Sequence, residues 1–248
     1  MIDRVPGRAR VRLRAVGALV ALAALVGSLA ACEPPGPRVY VYGDSLTWEA
    51  EGWIRTWGQA RGYDVVVHSR FGGAPCSFYG QMRADRGRQG THAVIVAFSG
   101  NPAYMSPCVG PDTVGSHARQ LREVAGIWSG SGARVVWAAT PRLPAQVSED
   151  VQDAMRAEAR RLGLGVADSG RYVTPNRTWA QVLPCLPGER CPGHQINPAV
   201  ASGRNIVRAN DGVHFCPGGG RGFDPCPYYS SGAWRFARAL AEAIPARR

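Results

Sequence analysis

Ala93-Val94-Ile95-Val96-Ala97-Phe98 is an unbroken apolar run that stops at Ser99-Gly100-Asn101. A strand of that kind, apolar at every position, is buried on both faces, as central strands of parallel sheets are. Shorter runs lie on either side of it in the chain: Val39-Tyr40-Val41-Tyr42, Val65-Val66-Val67, Val135-Val136-Trp137-Ala138-Ala139 (halted by Pro141) and Leu164-Gly165-Val166-Ala167. Helical patterns separate them. Leu46 to Ala60 places Ala50, Ile54 and Trp57 near one face, and Val114, Ala118, Leu121, Ala125 and Trp128 follow a spacing of fours and threes. Ser148 reads as the start of the next helix, with Glu149 and Asp150 in its first turn, Arg160 and Arg161 in its last, and Gly163 beyond its end. A final helix, about Ser231 to Ile244, lines up Trp234, Ala237, Leu240 and Ile244. Alternating strands and helices predict an α/β domain with a parallel sheet covered on both sides. Arg171 to Asn210 breaks the alternation with Pro, Gly and Cys, and predicts a disulfide-braced excursion that shapes a site and not a core.

The chain of 248 residues opens with something other than fold. Arg4, Arg8, Arg10, Arg12 and Arg14 precede an apolar stretch from Ala15 to about Ala31, the order of a secretory signal. That stretch is short for the ~20 residues a membrane span needs. Leu29-Ala30-Ala31-Cys32 resembles a bacterial lipobox, which implies a cleaved leader at 1–31 and a lipid anchor at Cys32. A plain signal peptide or a retained anchor are the other readings of the same residues. Residues 32–37 then form a Pro-rich tether, and 38–248 make one domain with room for a core. Residues 1–31 hold five arginines and one acid, so their loss lowers the formal charge from +11 to +7. Every basic residue is arginine. Such a surface suits anionic envelope polymers or lipid headgroups, although a solvated arginine-biased surface needs no partner. Nucleic acid is not an expected partner, since no binding motif is present and export is expected.

Six cysteines remain after Cys32: Cys76, Cys108, Cys185, Cys191, Cys216 and Cys226. An even number in an exported chain points to disulfides. Short loops close at least entropic cost, which favours Cys185–Cys191 and Cys216–Cys226 and leaves Cys76–Cys108. A metal site from Cys185, Cys191, His194 and Cys216 fits no zinc spacing, so no metal is expected. Gly218-Gly219-Gly220 lacks the ending of a phosphate loop and reads as slack within a disulfide loop.

The chemistry gathers at strand ends. The first strand runs into Gly43-Asp44-Ser45-Leu46, the second into Arg70-Phe71-Gly72-Gly73, the third into Ser99-Gly100-Asn101, and Asp211-Gly212-Val213-His214 precedes the last helix. Parallel strands share their carboxyl edge, so all four stretches are candidates for one crevice. Ser45 is a candidate nucleophile at a strand-to-helix junction, where helix dipoles favour developing negative charge. His214 is a candidate base, and Asp211 would hold its imidazole in the useful tautomer. The backbone N–H of Ser45 and Gly73 and the amide of Asn101 are candidate oxyanion donors, one such donor being worth about 3–4 kcal/mol in a comparable hydrolase. As bland alternatives, Ser45, Asn101 and Asp-Gly at 211–212 would be ordinary turn residues. His68, His92, His117 and His194 read as structural or exposed.

These four blocks, in this order, resemble the SGNH hydrolases, also known as GDSL-type esterases and lipases. Gly43-Asp44-Ser45-Leu46 matches the first block letter for letter, Gly73 the second, Gly100-Asn101 the third, and Asp211-Gly212-Val213-His214 the last. The resemblance implies a three-layer α/β/α sandwich on a five-stranded parallel sheet of flavodoxin-like order 2-1-3-4-5. It also implies a Ser-His-Asp acyl-enzyme mechanism on carboxylic esters of lipids or acylated carbohydrates, in a monomer with no cofactor. Two departures stand out. Pro102 replaces the acid that usually follows the asparagine, and adjacent Gly72 and Gly73 leave the second-block glycine open. The same residues would serve an acyltransferase acting on envelope glycans, and a lipoprotein that only binds such ligands is a third reading. Phe71, Phe78, Tyr79, Tyr104 and Phe215 lie near the blocks, as acyl-pocket lining or as core.

Overall fold

The apolar runs become five parallel strands: β1 (Arg38–Gly43), β2 (Asp64–Ser69), β3 (Thr91–Ala97), β4 (Arg134–Ala139) and β5 (Gly165–Asp168). The computed structural model describes residues 36–216, 226 and 229–246. The expected leader at 1–31, Cys32, most of the tether and Gly218-Gly219-Gly220 lie outside the described residues. Strand order is β2-β1-β3-β4-β5, the flavodoxin-like order. β3 lies between β1 and β4, pairing Ile95 with Val41 on one side and Val136 on the other. The run from Ala93 to Phe98, along β3 and just past its end, is fully buried, as an apolar run without alternation requires.

Helices cover both faces. α1 (Ser45–Ala60) follows β1, α2 (Tyr79–Arg86) and α3 (Thr113–Trp128) flank β3, and α4 (Gln146–Arg161) follows β4. α5 (Ser231–Ala243) closes the chain. On one face Val39, Val41 and Ile95 pack with Leu46, Ala50 and Ile54 of α1 and Phe236, Ala237 and Leu240 of α5. On the other, Tyr40, Tyr42, Val94 and Val96 meet Met82 of α2, Leu121, Val124 and Trp128 of α3, and Val151 and Met155 of α4. Each fully buried side chain of that size contributes about 1.5–3 kcal/mol. The result is three layers, with β1 and β3 at the centre carrying the strand ends that matter most.

Three local outcomes differ from the sequence reading. α4 starts at Gln146, not Ser148; Ala145 precedes it without a side-chain cap, and buried Ser148 donates its N–H to the Ala145 carbonyl at 3.2 Å. α2 has no counterpart in the sequence reading. Only Met82 and Asp85 are buried along it, so it offers no apolar periodicity. The excursion after β5 contains a two-stranded antiparallel ribbon, β6 (Val182–Pro184) with β7 (Arg204–Ile206). Among the described residues three disulfides are present: Cys76–Cys108, Cys185–Cys191 and Cys216–Cys226. Among the described residues no helix is long and apolar enough to cross a membrane.

Candidate active site

β1 delivers Ser45 to the sheet's carboxyl edge through a glycine that no other residue can replace. A Cβ on Gly43 would stand 1.9 Å from Thr47 Oγ1 and 2.7 Å from the Ala97 carbonyl oxygen. That closeness lets α1 begin at once beside β3. Asp44 is the N-cap, accepting from the Leu46 N–H at 3.1 Å, and Ser45 is the first helical residue. Its N–H is one that the helical ladder leaves without a partner, and it lies at the positive end of the helix dipole.

The last block folds back over this junction. His214 Nε2 lies 3.0 Å from Ser45 Oγ, and His214 Nδ1 lies 2.6 Å from Asp211 Oδ2. Asp211 Oδ1 also accepts from the N–H of Val213 at 2.8 Å and of His214 at 2.9 Å. Burial raises the Asp211 carboxyl's affinity for protons. The hydrogen bonds from the His214 ring and from the two N–H groups outweigh it, holding the group below the usual carboxylate range. An ionised carboxylate only accepts, so Nδ1 carries the proton and the Nε2 lone pair faces the serine hydroxyl.

Neighbours fix that loop. The Ala209 N–H donates to the His214 carbonyl at 2.7 Å, and the Trp179 indole donates to the Gly212 carbonyl at 2.9 Å. Arg208 is fully buried and donates to the carbonyls of Val213 and Arg142. Burial pushes its guanidinium down to about 10, against the attraction of Glu49 and Asp211. Glu49, one turn along α1 from Ser45, accepts from the Phe215 N–H at 2.6 Å. Its own carboxyl is pushed up by burial despite that bond and the nearness of His214. Thus α1 holds the serine and also grips the segment carrying the histidine.

The second and third blocks meet through Asp44. This completely buried carboxylate accepts from Ser99 N–H and Ser99 Oγ, both at 2.6 Å, and Asn101 Nδ2 stands 3.4 Å away. Burial raises its carboxyl above the ordinary aspartate value, and the donations from Ser99 and Leu46 oppose that. Asn101 Nδ2 also donates to the Gly73 carbonyl at 2.9 Å, and buried His117 bridges to the Asn101 carbonyl at 3.0 Å. Burial lowers the His117 imidazole's proton affinity, so the ring is neutral and Nε2 is the donor. The Gly73 N–H bonds the Arg70 carbonyl at 3.0 Å, closing a turn with Gly72 at φ +64°. Hence Gly73 and Asn101 come together as expected, but each expected donor already has a partner: the Gly73 N–H in that turn, and the Asn101 amide on Gly73 and Asp44.

Ser45, His214 and Asp211 are therefore contiguous, and Gly73 and Asn101 adjoin them through Asp44. The sequence reading did not single out Asp44, Glu49 or Arg208, while His117, read as structural or exposed, is buried and structural. Asp44 was visible as an N-cap type beside a serine. A buried arginine at 208 and a glutamate at 49 have no local signature, because their partners are distant in the chain.

No protein-family model matches the chain, and no curated protein matches it. Solved structures do. A candidate SGNH hydrolase from Slackia heliotrinireducens aligns over 85% of this chain and 100% of its own, at 18% identity and TM-score 0.55. A GDSL-like lipase from Bacteroides thetaiotaomicron aligns over 90% and 96%, at 14% identity and TM-score 0.52. An acetyl xylan esterase aligns over 84% and 97%, at 14% identity and TM-score 0.51. At these identities the likeness is one of architecture: the chain has the fold of the SGNH hydrolases.

Proposed function

We propose that this chain is an exported serine hydrolase of carboxylic esters, with Ser45 as nucleophile, His214 as base and Asp211 orienting it. The observation that carries the reading is the unbroken relay from Ser45 Oγ to His214 at 3.0 Å and on to Asp211 at 2.6 Å, set at the start of α1. In the first step Ser45 Oγ bonds to the ester carbonyl carbon and its proton passes to His214 Nε2. Asp211 stabilises the resulting imidazolium. The tetrahedral oxyanion faces the Ser45 N–H, with Gly73 and Asn101 as further donors once the substrate draws them from their resting partners. Nε2 then gives its proton to the departing alcohol, leaving an acyl group on Ser45. Water repeats the cycle and releases the acid. No cofactor takes part in this scheme.

The substrate class is a lipid ester or an acylated carbohydrate. The acetyl xylan esterase among the structural neighbours fits the second member of that pair. Three disulfides suit an oxidising compartment, in line with export and with an anchor at Cys32. The enzyme would act as a monomer without a nucleic-acid partner. Ser45→Ala is expected to abolish turnover of p-nitrophenyl acetate and butyrate while the circular dichroism spectrum stays that of the parent. Undiminished turnover in that variant would remove Ser45 from the mechanism.

A further inference from the structure

Phe71 is a large aromatic residue that remains 48% exposed, yet its ring is not idle. It stacks on the His214 imidazole with centroids 5.4 Å apart and planes 29° from parallel. Trp48, three residues beyond Ser45 on α1, meets the same ring edge-on at 5.4 Å and 69°. The turn beneath is built to present it. Arg70 donates its N–H to the Gly43 carbonyl at 3.2 Å, tying the turn to the end of β1. Gly73 closes the turn back onto Arg70, and Gly72 supplies the positive φ, leaving Phe71 at the corner.

We propose that Phe71 is a positioning residue for the base: its face fixes the imidazole plane and favours the imidazolium formed when Nε2 takes the Ser45 proton. This rests on the hydrolase reading above. The negative face of an aromatic ring attracts a cation above it, so the contact strengthens as the proton arrives, at the moment the new Oγ–carbon bond forms. Trp48 keeps the phenyl ring from rotating away. The other groups facing His214 are Asp211 from its own loop, Glu49 and Asp44 from α1 and its cap, and Arg208 behind Glu49 and Asp211. Among the described residues no hydrogen bond or ion pair joins any of them to Phe71.

The test compares Phe71→Leu, which keeps apolar cover without a ring, and Phe71→Tyr, which keeps the face, in pH profiles of p-nitrophenyl butyrate turnover by the purified full chain. Phe71→Leu should lower plateau kcat by about 3–10-fold with KM little changed. Phe71→Tyr should restore kcat. A Leu variant with the parent's kcat, or one that changes KM alone as a substrate contact would, overturns the proposal. Active-site titration with a fluorophosphonate on the parent separates the two claims: an unlabelled parent defeats the hydrolase reading, whereas a labelled parent with an indifferent Leu variant defeats only the role of Phe71.

Discussion

Asp44 shows how much one side chain can organise. The same carboxylate caps α1, receives both polar hydrogens of Ser99, and faces the Asn101 amide. Ser45 and the Gly73–Asn101 pair are thereby set relative to each other by one buried group. Asp44→Ala removes an N-cap, worth about 1 kcal/mol, and strands two Ser99 donors, at about 1–3 kcal/mol each. The expected outcome is a loss of about 3–7 kcal/mol in urea unfolding, with turnover falling even where the variant is fully folded. A variant of parental stability would mean that Asp44 does not hold the third block. Asp211 acts differently. Its side chain is half exposed, and its value lies in orienting His214, not in supporting the core.

At the scale of elements, the histidine lies just beyond the excursion, held by hydrogen bonds from Ala209, Trp179 and Arg208 and by Glu49 of α1. Cys216, two residues beyond His214, is buried and bonded to Cys226 across a separation of 10 residues. Closing a loop of that size stabilises by about 2–4 kcal/mol, mainly through the unfolded chain. The paired change Cys216→Ala with Cys226→Ala should lower the melting temperature and reduce turnover, because the base loses a tether close to it. Parental turnover in a folded variant would show that the 209–214 hydrogen bonds suffice alone.

The same scale shows what the sequence made legible. The apolar run from Ala93 to Phe98 implied a central strand, a local pattern imposed by burial; the 114–128 spacing implied a helix, but of its expected face only Leu121 and Trp128 are buried, and Val114, Ala118 and Ala125 are half-buried. The strand-end blocks were readable because glycine, serine and asparagine mark sharp chain reversals. α2 was not readable, since a helix of eight residues with two buried positions has no repeat to detect. Ser148 misled because a serine before acids looks like a cap, yet here it is a buried residue in the first turn. Nor did the sequence show that Asn101 and Gly73 would satisfy one another, because that pairing depends on two loops meeting.

At the scale of the whole molecule, the excursion proves to be bound into the core and not merely braced by cysteine. Glu189, inside the Cys185–Cys191 loop, and Arg235 of α5 form an ion pair at 2.8 Å, their side chains only 0% and 2% exposed. Arg235 also donates to the carbonyls of Tyr172 and Pro184, and Glu189 accepts from Asn205 of β7 at 3.0 Å. Burial raises the Glu189 carboxyl, but donation by Arg235 and Ser231 outweighs it and leaves the group below its ordinary value. A depressed carboxyl stabilises the fold above the unfolded pKa of about 4.3, and that support is lost as pH falls through the folded value. Glu189→Gln leaves a buried cation unmatched and should destabilise by about 3–5 kcal/mol at pH 7. Urea melts at pH 7 and pH 3 should show the gap narrowing in acid, where the parent's own carboxylate becomes protonated. An equal gap at both pH values would contradict the sign assigned to Glu189.

The central claim is that Ser45 is a nucleophile made reactive by His214, and covalent capture tests it most directly. The purified full chain and its His214→Ala variant would be exposed to a fluorophosphonate, and the modified peptide identified by mass spectrometry over time. The account predicts a single adduct on Ser45 in the parent and labelling slowed by at least ~100-fold in the variant. Capture at another residue, or equal rates with and without the imidazole, would contradict it.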